Sequence, residues 1–240
     1  MSLIEDVNSL SDDLIESIEK LTTRWLFQAI LDFGWEAHDI FMQSPDDVKD
    51  VAEDITREVL DRLPGFNVPQ RIYGTVDYKK ARYIILPEQM VRQALFVDSK
   101  AEKEMRTATI QMSQTSLRTR QIRQGAHVDE AGLLPVVSVY GGKEYLTTTA
   151  FLHFAYEDRA ENEHHLLQAT ICCVPNGRLQ DRYNPNADDS IWLAGRNAPS
   201  LGEDFRVRVS YARLRAKAKW RVQLISYDES TSHCSGQWDE

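Results

Sequence analysis

Asp77 closes the segment Val76-Asp77, and Asp98 and Lys100 close Phe96-Val97-Asp98-Ser99-Lys100. Two carboxylates at the ends of neighbouring strands can hold a hard divalent cation between them. Magnesium suits such a site because it prefers carboxylate oxygen and keeps waters for chemistry. Side chains alternate along a strand, so Lys100 leaves on the same face as Asp98 and its ammonium points at the same place. Metal, ammonium and anchored water together suit attack on a phosphodiester. On this pattern alone, a surface salt bridge at a strand end is the commoner arrangement.

The elements that would position these residues follow from periodicity. Leu14, Ile18, Leu21, Trp25, Ala29 and Phe33 recur at helical spacing and predict an amphipathic helix over 12–34. Ser44-Pro45-Asp46-Asp47 combines a cap, an early proline and first-turn acids. It predicts a second helix running to about Leu63, where Pro64-Gly65 ends it. Its apolar stripe is Val48, Ala52, Ile55 and Val59, and Glu53 lies beside that stripe, able to face a partly buried site. Strands are expected over 71–77, 81–86, 92–98, 133–140, 149–156, 166–174, 204–211 and 221–227. The polar stretch 101–124 is expected to include a helix, and Gly141-Gly142 a hairpin turn. The Asn-, Pro- and Gly-rich stretch 176–199 is expected to be a structured loop. The sum is an α/β (α+β) domain on a mixed sheet.

The chain has 240 residues and a net charge of −9, with 42% hydrophobic residues. That bounds it to one large domain. The acidity is local: residues 1–66 carry 16 acidic against 5 basic side chains. From Arg196 to Arg221 eight basic residues face only Glu203 and Asp204. One basic stripe on an acidic chain fits a specific DNA binder better than a nonspecific one. For Arg213 to Lys219 a solvated helix face is an equally good reading. In Arg206-Val207-Arg208-Val209 the two arginines share one strand face, where guanidinium forks can pair with guanine O6 and N7. Arg196, on the preceding loop, can reach the same groove. Cys172, Cys173 and Cys234 fit neither a zinc site nor a disulfide framework and read as buried thiols in a reducing cytoplasm. The charged N-terminus and the lack of a long apolar run predict no signal peptide and no membrane partner. The six histidines are scattered, and His153, in an apolar strand, reads as an interior residue.

Several blocks, in order, resemble the SfiI-like type II restriction endonucleases of the PD-(D/E)XK nuclease superfamily. They are Ala52-Glu53-Asp54-Ile55-Thr56, Asp77-Tyr78-Lys79 with Arg82, Val97-Asp98-Ser99-Lys100-Ala101 and Gln111-Met112-Ser113-Gln114. Arg178 to Pro185, Ala194-Gly195-Arg196 and Arg206-Val207-Arg208-Val209 complete the set. The resemblance implies a mixed sheet flanked by helices with the active site at one end. It implies Mg²⁺-dependent hydrolysis of both strands of duplex DNA at a G·C-rich, interrupted palindromic site by a homodimer or homotetramer. Asp77 and Asp98 would bind Mg²⁺, with the Ser99 carbonyl as a further ligand. Lys100 would position the attacking water, and Glu53 matches the family's helical acid. Arg206 and Arg208 match its paired strand arginines. Arg196 stands where the pattern has lysine, and Arg106 would contact phosphate or the minor groove. The expected division is a helical part at about 10–65, a catalytic core at about 66–175 and a DNA-recognition part at about 176–225. The rival readings are a structure-specific or repair nuclease of the same fold, and a DNA-binding protein without catalysis.

Overall fold

The computed structural model describes residues 4, 6–43, 47–63, 66–68, 81–86, 91–160, 163–193 and 206–240, with 66–68 and 81–86 as backbone. The expected strand 71–77 therefore lies outside the described residues. Three helices come first: α1 (Asp12–Phe33), α2 (Glu36–Gln43) and α3 (Val48–Asp61). Strands β1 (Phe66–Val68), β2 (Ala81–Leu86), β3 (Val91–Glu102) and β4 (Thr107–Gln111) follow. Then come β5 (Thr119–Arg123), β6 (Ala126–Glu130), β7 (Val137–Tyr140), β8 (Lys143–Ala160) and β9 (Glu163–Val174). The chain continues through α4 (Gln180–Tyr183), β10 (Trp192–Leu193), β11 (Arg206–Ser210), α5 (Tyr211–Lys217), β12 (Val222–Asp228) and β13 (His233–Ser235).

The main sheet runs β1-β2-β3-β8-β9-β12-β13, with β7 added on β8. It is mixed because β3 and β8 run parallel while its other pairs are antiparallel. The parallel register puts Asp98 opposite Phe151 and Lys100 opposite His153. A small sheet, β10-β11-β4, stands apart, as does the β5-β6 hairpin.

Local chemistry explains most boundaries. The Ser11 hydroxyl accepts from Leu14 N–H to start α1, Asp12 and Asp13 favour its positive end, and Gly34 ends it at φ 66°. α3 starts later than the sequence suggested. Asp47 is its cap, accepting from Lys49 N–H, because the Asp47 backbone is still non-helical at ψ 128°; Ser44 and Pro45 lie outside the described residues. Ala52, Ile55 and Val59 are fully buried, as the stripe required. α2 was not expected; it is short, and the burial of Ala37, His38 and Phe41 holds it. Tertiary packing, not propensity, stabilises so short a helix.

The largest correction concerns 101–124. Beyond a single 3₁₀ turn at Met112–Gln114 it is strand and irregular chain, not α-helix. β4 buries Ala108 and Ile110 against the Val207 and Val209 rungs of β11. That partner lies about a hundred residues away, so the local polarity misled. Gly141 and Gly142 have φ of 57° and 72° and form the expected β7–β8 turn. The three cysteines are free and buried.

Candidate active site

α3 lies against β3, the central strand that carries the Asp-X-Lys pattern. The clamp between them is a pair of hydroxyls. Ser99 Oγ donates to Thr56 Oγ1 at 2.6 Å, and Thr56 Oγ1 donates in turn to the Ala52 carbonyl at 2.8 Å. Glu53 is half-buried one turn before Thr56, and residues at i and i+3 share a helix face. By strand alternation Ser99 turns to α3, while the Asp98 and Lys100 side chains leave on the other face of β3. The described rungs between β2 and β3 end at Ala81 opposite Phe96. Asp98 and Lys100 lie just past that rung, where β3 runs on alongside β8.

Lys100 Nζ sits 2.6 Å from Asp98 Oδ2; the two side chains are 18% and 24% exposed. The salt bridge that the pattern alone led one to expect is present, but it is not isolated. Gln114 Nε2 donates to the same Asp98 oxygen at 3.0 Å, and Lys100 Nζ donates to Gln114 Oε1 at 3.5 Å. Gln114 Oε1 also accepts from the Gln111 backbone N–H at 3.1 Å. Gln114 is buried and locks the carboxylate and ammonium into one frame. Sequence reading gave Gln114 no role. The signal available was its place in Gln111-Met112-Ser113-Gln114, one of the blocks that carried the resemblance.

Beneath Lys100, His153 is fully buried and shares a 2.8 Å hydrogen bond with Tyr211 Oη. Burial, and then the Lys100 ammonium, lower the His153 pKa to about 4. The imidazole is neutral at physiological pH and adds no competing charge to the site.

β11 carries the arginine pair. Val207 and Val209 are fully buried while Arg206 and Arg208 are half-buried on the other face. Arg206 pairs across to Gln111 and Arg208 to Thr109. Gln111, opposite Arg206, is the residue whose N–H holds Gln114, so β4 connects the arginine strand to the Asp98 end. Arg208 Nε is buried with no hydrogen-bond partner among the described residues. Arg106 is exposed and precedes the opposite end of β4, so it does not join Arg206. Asp77 and Arg196 lie outside the described residues.

The expected basic stripe breaks up beyond Arg208. Arg213 donates to the Ser190 and Trp192 carbonyls. Lys217 pairs with Asp189 at 2.6 Å, and Arg215 and Lys219 pair with Asp239. Arg221 is fully buried against Glu19 at 2.7 Å. Folding consumes these cations internally, which the linear charge count could not reveal.

A divalent ion needs hard oxygen donors. The Asp98 carboxylate and the neighbouring Ser99 carbonyl are such donors, so these residues fit the group. A mixed sheet with helices, an acid and a lysine on one strand end, and a separate arginine strand together define a nuclease-type architecture.

The comparisons with known proteins agree. The family model described as type II restriction enzyme SfiI matches residues 31–225. The curated SfiI of Streptomyces fimbriatus is 33% identical, over 98% of this chain and 92% of its own length. A crystal structure of tetrameric SfiI bound to cognate DNA superposes with a TM-score of 0.86 at 32% identity, covering 98% of this chain and 93% of that one. The restriction endonuclease BglI, solved on its DNA recognition sequence, shares the fold: TM-score 0.70, 17% identity, 90% and 92% covered. The chain belongs to the SfiI family of type II restriction enzymes. Among its described residues no helix is long and apolar enough to cross a membrane.

Proposed function

We propose that this enzyme uses Mg²⁺ to hydrolyse both strands of duplex DNA at a G·C-rich, interrupted palindromic site. The observation that carries the reading is the Asp98–Lys100–Gln114 frame at the end of β3 in a chain of this family. Asp77 and Asp98 would hold the ion, with the Ser99 carbonyl, and Glu53 would support them as the family's helical acid. Bound magnesium supplies Lewis-acid charge and anchors water for attack. Lys100 holds an ammonium beside Asp98, where it can orient a water and offset negative charge growing on phosphate. Gln114 fixes both side chains so that this geometry precedes substrate binding.

Arg206 and Arg208 share a face on a rigid strand, as bidentate readout of guanine requires. Arg196 and Arg106 are assigned to the same DNA, Arg106 to phosphate. Two strands of a palindrome need two active sites, hence at least a homodimer. The tetrameric state of SfiI on its cognate DNA supports a homotetramer.

The test is a digest of a long DNA of known sequence, with and without Mg²⁺, followed by sequencing of the ends. Discrete fragments sharing one interrupted motif, formed only with Mg²⁺, are expected. Cuts at branched or damaged DNA with no shared motif would replace this reading with a repair nuclease. Arg208→Ala is expected to lower discrimination at one base pair by about 1–3 kcal/mol; unchanged preference would remove Arg208 from the readout.

A further inference from the structure

A second cluster of metal-ligating side chains lies away from the catalytic frame, around the β8–β9 hairpin end. His38 comes from α2, His165 from β9 and Glu229 from the turn after β12. Their ligand atoms all lie within 4.8 Å of one another. His38 Nε2 is 3.2 Å from Glu229 Oε1, and His165 Nδ1 contacts the same oxygen. His38 is fully buried and His165 nearly so. We infer that His38, His165 and Glu229 form a structural binding site for a zinc-like transition ion.

Two points support an ion here. The first is ligand chemistry: two imidazoles and one carboxylate, with water in the fourth place, are a recurrent zinc set. Tetrahedral bonds of about 2.0–2.1 Å place ligand atoms roughly 3.3 Å apart. The His38–Glu229 edge already has that length, and the His165–Glu229 contact needs only to open.

The second is the surrounding shell. His165 Nε2 meets Glu163 Oε1 at 2.6 Å, which leaves Nδ1 to face the cluster. A carboxylate behind a histidine is the usual device for fixing the tautomer of a metal ligand. Arg159 binds the other Glu229 oxygen and Glu157, steering Oε1 inward. Trp35 stacks on His38 at 3.9 Å and holds the ring plane.

An ion would tie α2 to the paired strands β9 and β12, and its binding energy would become folding energy.

The test uses the full-length protein, stripped with chelator and titrated with Zn²⁺ against a chromophoric competitor, with thermal unfolding in parallel. One Zn²⁺ per chain and a raised Tm are expected. Both should persist in Asp98→Ala, which removes a candidate catalytic ligand, and in His164→Ala, which removes a neighbouring histidine. Glu229→Gln and His165→Ala should each weaken binding by about 100-fold or more and abolish the Tm response. Glu229→Gln keeps the shape of the side chain, so the test survives if His165→Ala does not fold. Absence of stoichiometric zinc, zinc lost in Asp98→Ala, or equal affinity in Glu229→Gln would overturn the proposal.

Discussion

Two ion pairs, built from the same chemistry, do opposite work in this molecule. Glu19 and Arg221 are both fully buried, 2.7 Å apart, with the Asn176 N–H on the other Glu19 oxygen. Arg221 also lies over Tyr183 and Trp220, with its guanidinium 4.0 and 4.2 Å from the ring centres. Every neighbour is fixed, and the pair ties α1 to the chain entering β12. Asp98 and Lys100 are as close, but partly open to solvent at a strand end. A buried pair cannot exchange partners without leaving a buried, uncompensated charge. An open pair can take a cation on its carboxylate and a phosphate on its ammonium. Burial, not residue type, separates a structural bolt from reactive machinery.

The contrast can be broken at either pair. Asp98→Ala should lower DNA cleavage by about 10³-fold or more, equivalent to about 4 kcal/mol of barrier, while changing stability by less than about 1 kcal/mol. Steady-state cleavage and denaturant unfolding of the same preparation check both halves. Full cleavage would remove Asp98 from the site.

Glu19→Gln should do the reverse. It strands the Arg221 charge and should cost about 3–5 kcal/mol of stability in denaturant titration. The double variant Glu19→Leu with Arg221→Met should recover much of that loss, because apolar residues of similar size need no partner. A mild single and a severe double would show that the pair itself carries the stability.

His153 sharpens the comparison through pH. Its folded pKa of about 4 lies below the ordinary value of 6.5. Between those values the unfolded chain binds more protons, so stability is whole above about pH 6.5 and falls as pH drops towards 4. The full loss is up to about 3 kcal/mol. His153→Gln should flatten this part of the stability profile. His38, also lowered by burial, contributes with the same sign, so the profile is flattened and not abolished.

Gln114→Leu should have the smallest effect. Asp98 and Lys100 remain but lose their common clamp, so cleavage should drop roughly 10- to 100-fold with a raised Mg²⁺ requirement. A fall in cleavage with no change in Mg²⁺ response would assign Gln114 to packing alone.

Much of this was legible in the sequence because it rests on local rules. The spacing of Ile18, Ala29 and Phe33 and the buried Ala52, Ile55 and Val59 follow from helical periodicity, although Leu14, Leu21, Trp25 and Val48 of the same stripes stay half-buried. Asp98 and Lys100 share a face because strand side chains alternate, and Val207 and Val209 turn inward for the same reason. The ordered blocks from Glu53 to Arg208 pointed to the family that the comparisons then supplied.

Other features depend on partners far away in the chain, and only the tertiary structure decided them. Gln114 reaches Asp98 because a turn after β4 brings it back to β3. The strand at 107–111 exists because β11 lies beside it, whatever its own polarity suggests. Arg221 belongs to the basic run of the sequence, yet it is buried because Glu19, 202 residues earlier, packs against it. His38 and Glu229, 191 residues apart, meet only when α2 packs over β9. Periodicity and capping are properties of a few consecutive residues. Ion pairing, burial and ligand convergence are properties of the folded surface, and one-dimensional spacing carries no record of them.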